Sequence, residues 1–274
     1  PETADGTPED WALIAKPLLE GHLQRSGLIA TVNEGYLPAT FFVDYQLTAI
    51  PLISIIIHIK DRLDVLQICI ESLLKKTCYS HYELIIIDNN NTDLTTLAYL
   101  DHLPARDNRI RVLCYKKNDN CSSINNFAAQ EANGDFLLFL GNDNMILQDN
   151  WLERMVAIGL HKDVGAVSCR LISTVQKIKH AGMILGLNGV IDFIGIGLPL
   201  TESGYMGRTQ LTQNFSAISY ACMLIRKDLF IEVGGFDEKD FSSFYYDADL
   251  CLKLGAHGYR IVWTPFVTLA CQDK

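Results

Sequence analysis

The 274-residue sequence has no run of about 18 uninterrupted apolar residues and no secretory leader pattern, so nothing in it reads as a membrane-spanning helix or an export signal. None of its 8 cysteines forms a C-x-x-C pair, which excludes a zinc knuckle. Most sit inside apolar runs such as Ile68-Cys69-Ile70 and Ala221-Cys222-Met223, where a free thiol behaves as a small hydrophobe; a reducing compartment and no disulfide framework are expected. Basic residues are in deficit. The 23 Lys and Arg against 32 Asp and Glu leave a net charge of -9, which argues against nucleic acid or anionic lipid held by charge alone. A phosphorylated ligand would need local help from a metal ion, backbone N–H groups or a basic pocket. No G-x-x-x-x-G-K-[ST] occurs, which excludes a P-loop, and no G-x-G-x-x-G follows the first strand of the main domain, which argues against a dinucleotide site of that type.

What is present is the composition of a folded α/β protein, 49% hydrophobic and 20% charged. The length suits one large domain with an appendage. Because the first residue is Pro1, the chain is expected to be a piece of something longer, with room for a partner catalytic domain elsewhere.

Residues 1–50 read as an N-terminal extension. Thr7-Pro8-Glu9-Asp10 supplies an N-cap, a proline at the first helical position and an acid in the first turn, predicting a helix to about Gln24. Strand-like runs over 28–32 and 40–47 follow, with Asn33-Glu34-Gly35 as the turn. From Pro51 the pattern alternates. Residues 52–59 and 82–88 are β-branched, nearly continuous apolar runs, as in parallel strands buried on both faces. Residues 62–75 put Leu63, Leu66, Ile70, Leu73 and Leu74 on one helical stripe. Further strands are expected at 109–115, 135–140, 164–172, 216–225 and 259–264, and helices at 92–102, 122–133, 151–160 and 247–256. A β-α-β-α-β-α-β order predicts a parallel sheet, whose ligands bind beyond the carboxyl ends of the strands. Those ends carry His58-Ile59-Lys60-Asp61-Arg62, Asp88-Asn89-Asn90-Asn91 and Gly141-Asn142-Asp143-Asn144.

Ordered together, Ile53-Ser54-Ile55-Ile56-Ile57, Glu83-Leu84-Ile85-Ile86-Ile87-Asp88-Asn89 with Thr92-Asp93, and Phe139-Leu140-Gly141-Asn142-Asp143 resemble the nucleotide-binding half of family 2 glycosyltransferases of the GT-A fold. Lys179-His180-Ala181-Gly182, Val233-Gly234-Gly235-Phe236-Asp237-Glu238 and Tyr246-Asp247-Ala248-Asp249-Leu250 are similar to that family's acceptor-side motifs, in the same order. The likeness covers 51–274, with 51–145 as the nucleotide-binding half and 146–274 as the acceptor-binding half, and implies a Rossmann-like, mostly parallel central sheet flanked by helices. Within the family it is nearest to bacterial enzymes of O-antigen and rhamnose-containing polysaccharide assembly.

The resemblance implies an inverting transfer of a rhamnosyl or hexosyl unit from a dTDP- or UDP-sugar to a growing glycan, lipid-linked at the cytoplasmic membrane face. Asp88 then contacts the base, unless it merely caps its loop, and Asp143 is the last carboxylate of the D-x-D motif that holds Mn²⁺ or Mg²⁺. Asp247 is the base, kept ionised at a helix start but not strongly basic; Asp249 is structural or binds acceptor. Donor contacts are assigned to Lys60, Asp61, Asn126, Asn142 and His180, and acceptor contacts to Tyr245 and Gly235, with Phe244 beside them. Two positions depart from the pattern. Gly141 takes the first acidic place of the metal motif, and Cys271 stands where the family has a histidine, a soft ligand for either cation. These departures favour the alternative of a non-catalytic sugar-nucleotide or glycan-binding module. A nucleotidyltransferase, the other rival, needs glycines after the first strand that His58 to Arg62 lacks.

Overall fold

A computed structural model describes residues 7–117 and 120–272, without the side chains of 8–10. In the extension, α1 (Pro8–Arg25) precedes a hairpin of β1 (Ala30–Glu34) and β2 (Phe41–Tyr45), paired antiparallel with Ala30 opposite Tyr45. The expected cap at Pro8, Glu9 and Asp10 lies outside the described side chains. The turn comes later than Asn33-Glu34-Gly35, because the Thr40 hydroxyl donates to Leu37 O at 2.6 Å and accepts from Leu37 N at 3.2 Å, closing the loop over 35–40. Phe266 is clasped between Tyr36 and Phe42, ring centroids 4.8 and 4.1 Å away, and this docks the hairpin on the main body.

The main body runs β3 (Ile53–Ile59), α2 (Leu63–Lys76), β4 (Tyr82–Asp88), α3 (Leu94–Arg106), β5 (Ile110–Cys114), α4 (Cys121–Glu131), β6 (Phe136–Leu140), β7 (Asn144–Ile146), α5 (Trp151–Gly159) and β8 (Val164–Ser173). Short strands β9 (Ile178–His180), β10 (Met183–Leu185), β11 (Ile191–Phe193) and β12 (Gln213–Asn214) lead to β13 (Cys222–Arg226), α6 (Lys227–Glu232), α7 (Tyr246–Ala256) and β14 (Arg260–Cys271). The central sheet has the order β5-β4-β3-β6-β13-β8-β14-β12. Strands β3, β4, β5 and β6 are mutually parallel, whereas β13 is antiparallel to both β6 and β8. The central sheet is thus mostly parallel and flanked by helices, as expected.

Two expected strands change length. The run at 216–225 becomes regular only at Cys222, leaving 219–221 as a non-repetitive segment at the sheet's edge. The last strand does not stop at Thr264: a register shift between Thr264 and Thr268 absorbs Pro265, which has no N–H to give, and pairing resumes to Cys271.

Side-chain alternation divides the core. Ile53, Ile55, Ile57 and Ile59 face α2 through Leu66, Cys69, Ile70 and Leu73, while Ile56 faces α4 and α7 through Ile124, Ala128, Leu250 and Leu254. Each fully buried Leu or Ile contributes about 1.5–3 kcal/mol by leaving water. At the amino-terminal edge, Glu83 accepts from Ser54 Oγ at 2.6 Å, Asn133 N at 2.6 Å and Arg111 Nη1 at 3.1 Å, pinning β4 to its neighbours. With one edge locked in this way, the opposite edge is free to carry loops.

Candidate active site

All the loops named from the sequence emerge at the carboxyl edge of β3, β4 and β6. Asn91 knits the first two together. Its Nδ2 donates to Ile59 O at 3.0 Å and to Asp88 Oδ1 at 2.6 Å, and its Oδ1 accepts from Asp61 N at 2.7 Å. This brace holds Asp61, Arg62 and Asn90 in left-handed backbone conformations, φ 60, 57 and 57, which side-chain-bearing residues adopt only under constraint. Asp88 is buried; Oδ1 is occupied by Asn91, while the Cys114 thiol approaches Oδ2 at 3.8 Å. Lys60 and Asp61 are exposed on the rim.

The loop after β6 is built around Asn144, which is wholly buried. Its Nδ2 donates to Gly141 O at 3.1 Å and Ala221 O at 2.8 Å, and its Oδ1 accepts from the Cys271 thiol at 3.2 Å. Cys271 is therefore engaged with an amide in the protein interior. A Cβ on Gly141 would stand 2.8 Å from Asn144 Nδ2 and 2.9 Å from Asp143 Oδ1, so an acidic side chain there requires these side-chain ends to shift. Asp143 is half-buried beside Asn142, and Arg62, paired with Asp64 at 3.0 Å, also feels its charge. Among the described residues no three His, Cys, Asp or Glu side chains converge as a ready-made metal cage.

Across the cleft, Asp247 lies in the first turn of α7 and is buried. Its Oδ2 accepts from Tyr220 N at 3.2 Å and its Oδ1 from Ala248 N at 2.9 Å. Burial raises its pKa above the usual carboxylate value, outweighing those two backbone donors, a direction opposite to that of a helix start alone. The Tyr220 and Tyr246 hydroxyls are hydrogen-bonded to each other, and both phenols are pushed up chiefly by burial. His58 lies nearly parallel to Tyr220 at 6.3 Å, its own pKa lowered by burial. A cavity of about 240 Å³ opens against Asp247, with Tyr220, Phe193, Phe244 and Tyr245 among its walls.

The segment 219–221 was the feature hidden in the sequence, where it passes for strand. Ser219 N points at His180 Nε2 at 3.3 Å, Tyr220 N at Asp247, and Ala221 O receives Gly141 N at 2.9 Å. Three consecutive residues thus fasten three site elements. His180 is buried, with its pKa driven down to about 3 by desolvation, so it is neutral; it sits behind the cavity wall, edge-on to Phe193 at 4.9 Å. Its other nitrogen, Nδ1, faces Gly182 N at 3.4 Å, and a neutral imidazole can accept only one of the two.

Other assigned residues lie apart from Asp247. Asn126 exchanges two hydrogen bonds with the Phe236 backbone, at 2.8 and 3.0 Å, and reaches Glu238 Oε1 at 2.8 Å. Gly235 turns at φ 65, where a Cβ would meet Asn126 Oδ1 at 2.8 Å. Both line a different groove, between α4 and α6. Asp249 pairs with Lys253 at 2.6 Å, and Lys253 reaches Gly235 O at 3.3 Å, so this carboxylate ties α7 to the glycine turn.

Comparison with known proteins decides what such a sheet edge belongs to. The sequence model described as Glycosyl transferase family 2 matches residues 54–234. The chain belongs to that family. It is 36% identical over 252 residues to the uncharacterised protein y4gI of Sinorhizobium fredii, covering 92% of this chain and 28% of that protein. It is also 36% identical over 247 residues to the O-antigen biosynthesis protein RfbC of Myxococcus xanthus, covering 90% of this chain and 19% of that one. The chain therefore spans less than a third of either relative. Among solved structures, GalNAc-T7 with UDP, GalNAc and Mn²⁺ superposes with a TM-score of 0.69 at 15% identity over 82% of this chain and 44% of that one. The mannosyltransferase PcManGT of Pyrobaculum calidifontis, with GDP-Man and Mn²⁺, gives 0.61 at 16% over 96% and 68%. These family 2 transferase features rest on the GT-A fold, as the sequence pattern led one to expect. Among the described residues, no helix is long and apolar enough to cross a membrane.

Proposed function

We propose that this family 2 domain moves a rhamnosyl or hexosyl unit from a dTDP- or UDP-sugar onto a hydroxyl of a growing cell-surface glycan, with inversion. The observation that carries the reading is Asp247: a buried carboxylate of raised basicity on the wall of a cavity, bonded to Tyr220 while the next residue, Ala221, holds the Gly141–Asp143 loop. Asp247 and the loop that carries Asp143 are thereby hydrogen-bonded to adjacent residues of one segment, which supports reading them as base and diphosphate-side carboxylate. Asp247 takes the proton of the acceptor hydroxyl as its oxygen attacks the anomeric carbon opposite the departing nucleoside diphosphate. The bond to the sugar forms as the bond to the diphosphate breaks, and the proton stays on Asp247 until solvent removes it.

On the donor side, Asp88 Oδ2 is the oxygen left for a base N–H, since Asn91 occupies Oδ1. Lys60 and Asp61 at the rim and Asn142 beside Asp143 are the donor contacts this reading assigns. Asp143 is the residue to hold Mn²⁺ or Mg²⁺. Its half-buried carboxylate fits the mode in which a hard cation takes one protein carboxylate and completes its shell with water and substrate phosphates. Such a cation supplies charge neutralisation at the leaving diphosphate. The name of the relative RfbC supports the glycan side of this reading, and the Mn²⁺ in both solved structures supports a divalent cation. A place at the inner face of the cell membrane, next to a lipid-linked acceptor, goes with it.

The absence of a carboxylate at Gly141 and the engagement of Cys271 by Asn144 favour the second reading, a domain that binds sugar nucleotide or glycan without turnover. Incubating the protein with nucleotide-sugars and Mn²⁺ and measuring free nucleoside diphosphate separates the two. Release that falls in Asp143→Ala and Asp247→Ala supports the transferase; calorimetric donor binding with no release across many acceptors supports the binding module.

A further inference from the structure

The cavity beside Asp247 has a chemical character that bears on the acceptor, and the argument here rests on the transferase reading above. At about 240 Å³ it is smaller than the roughly 300–1,000 Å³ of pockets that enclose drug-sized ligands, a scale for one sugar ring rather than an oligosaccharide. Its lining contains Met183, Ile191, Phe193, Phe244 and Tyr245 and, among the described residues, no Lys, Arg or His. Among the described residues, the charged groups it presents are two carboxylates, Asp247 and Asp192. Asp192 is held ionised by Asn188 Nδ2 at 2.7 Å and Phe193 N at 2.7 Å, which together keep its pKa below the ordinary value.

Two aromatic rings at the mouth are uncovered: Phe244 is 77% and Tyr245 48% exposed, although both belong to large apolar types that gain by burial. Tyr245 is also fixed at φ 60 as the N-cap of α7, a left-handed conformation that costs a tyrosine energy and is typical of binding and catalytic positions. The same turn that starts the helix carrying Asp247 therefore presents an aromatic platform to the cavity. Apolar ring faces suit the C–H face of a sugar. Two carboxylates with no cationic side chain beside them in the described lining repel a further anion at close range.

We propose that this cavity receives the terminal sugar of the acceptor and selects an uncharged ring, rejecting uronate and phosphorylated termini. Phe244 and Tyr245 supply the stacking surface and Asp192 the charge filter. Asp247 reaches the hydroxyl that is to be glycosylated.

The test uses saturation-transfer NMR on the protein with methyl hexosides and methyl 6-deoxyhexosides as neutral probes, and methyl glucuronide and a hexose 6-phosphate as charged ones. At least one neutral probe is expected to bind at least about tenfold more tightly than its charged counterparts. Phe244→Ala is expected to weaken that probe at least threefold, and Asp192→Asn to narrow the neutral-to-charged ratio. Charged probes that bind as well as the best neutral one, or a neutral signal indifferent to Phe244→Ala, overturn the proposal. Thermal shifts with UDP or dTDP and Mn²⁺ are read in parallel. A nucleotide shift without any neutral-sugar signal overturns the cavity assignment alone; loss of both overturns the transferase reading as well.

Discussion

The backbone N–H of Tyr220 donates to the Asp247 carboxylate at 3.2 Å, and through the adjoining Ala221 carbonyl the same strap receives the N–H of Gly141 at 2.9 Å. The candidate base and the candidate metal loop are therefore positioned by neighbouring peptide units. A shift in one is felt by the other.

The first prediction concerns pH. Because burial raises the Asp247 pKa in the folded protein, the native state holds a proton that the unfolded chain has already lost as pH rises from the usual carboxylate range to the raised value. Over that window the titration of Asp247 lowers stability with rising pH. Relative to Asp247→Asn, the parent should lose stability as pH rises through it, seen as a change in the difference between their Tm values at about pH 4 and pH 7.5. The acidic limb of transfer activity should likewise lie above the ordinary aspartate pKa, since only the ionised form accepts the proton.

Asp143→Asn keeps the shape and removes the charge. A loss of about 10²–10³ in nucleoside diphosphate release is expected, the size seen when one electrostatic stabiliser of a leaving or developing anion is removed. Chelation of divalent cations should lower the parent to a similar level and leave the variant nearly unchanged.

Gly141→Asp, which restores the family's acidic residue, should not restore a stronger metal site. Its Cβ crowds Asn144 Nδ2 and Asp143 Oδ1, so the Asn144 amide is pushed against its bond to Ala221 O and Asp143 is displaced. A destabilisation of about 1–3 kcal/mol, as for other overpacked sites, should appear in chemical denaturation, together with weaker cation binding by calorimetry.

Asn91→Ala removes the brace between the first two strand ends. Leaving the Asp61 N–H and the Ile59 carbonyl without that partner should cost about 1–3 kcal/mol and raise the KM for donor more than it lowers kcat. Glu83→Gln is the control at the other edge. Burial opposes ionisation of Glu83, but bonds from Ser54, Asn133 and Arg111 outweigh it and lower its pKa, so its stabilisation is present above the unfolded-state pKa and lost as pH falls through the folded one. Its loss should lower Tm without moving the donor KM.

Much of this arrangement was written locally in the chain. The strands at Ile53–Ile59 and Tyr82–Asp88 announce themselves because both faces are buried, and Asp88 and Asp143 follow from where such elements end, whereas Asp247, in the first turn of α7, is marked only by the resemblance of its motif. What the sequence hides is contact at long range. Nothing in the run containing Ser219, Tyr220 and Ala221 distinguishes strand from strap, because the difference lies in partners at His180, Asp247 and Gly141. Asn126 and Gly235 carry the right residue types for ligand contact, and it is the fold that sets Asn126 on the Phe236 backbone and both residues on the groove between α4 and α6. Pro265 marked a plausible strand end until a bulge carried the pairing past it.

The most direct measurement is nucleoside diphosphate release from dTDP- and UDP-sugars with Mn²⁺ by the parent and by Asp247→Asn, with nucleotide binding followed by calorimetry in both. The account predicts turnover in the parent and a loss of at least about a hundredfold in the variant, with nucleotide affinity retained because the donor loop is untouched. Equal turnover in the two proteins would contradict it.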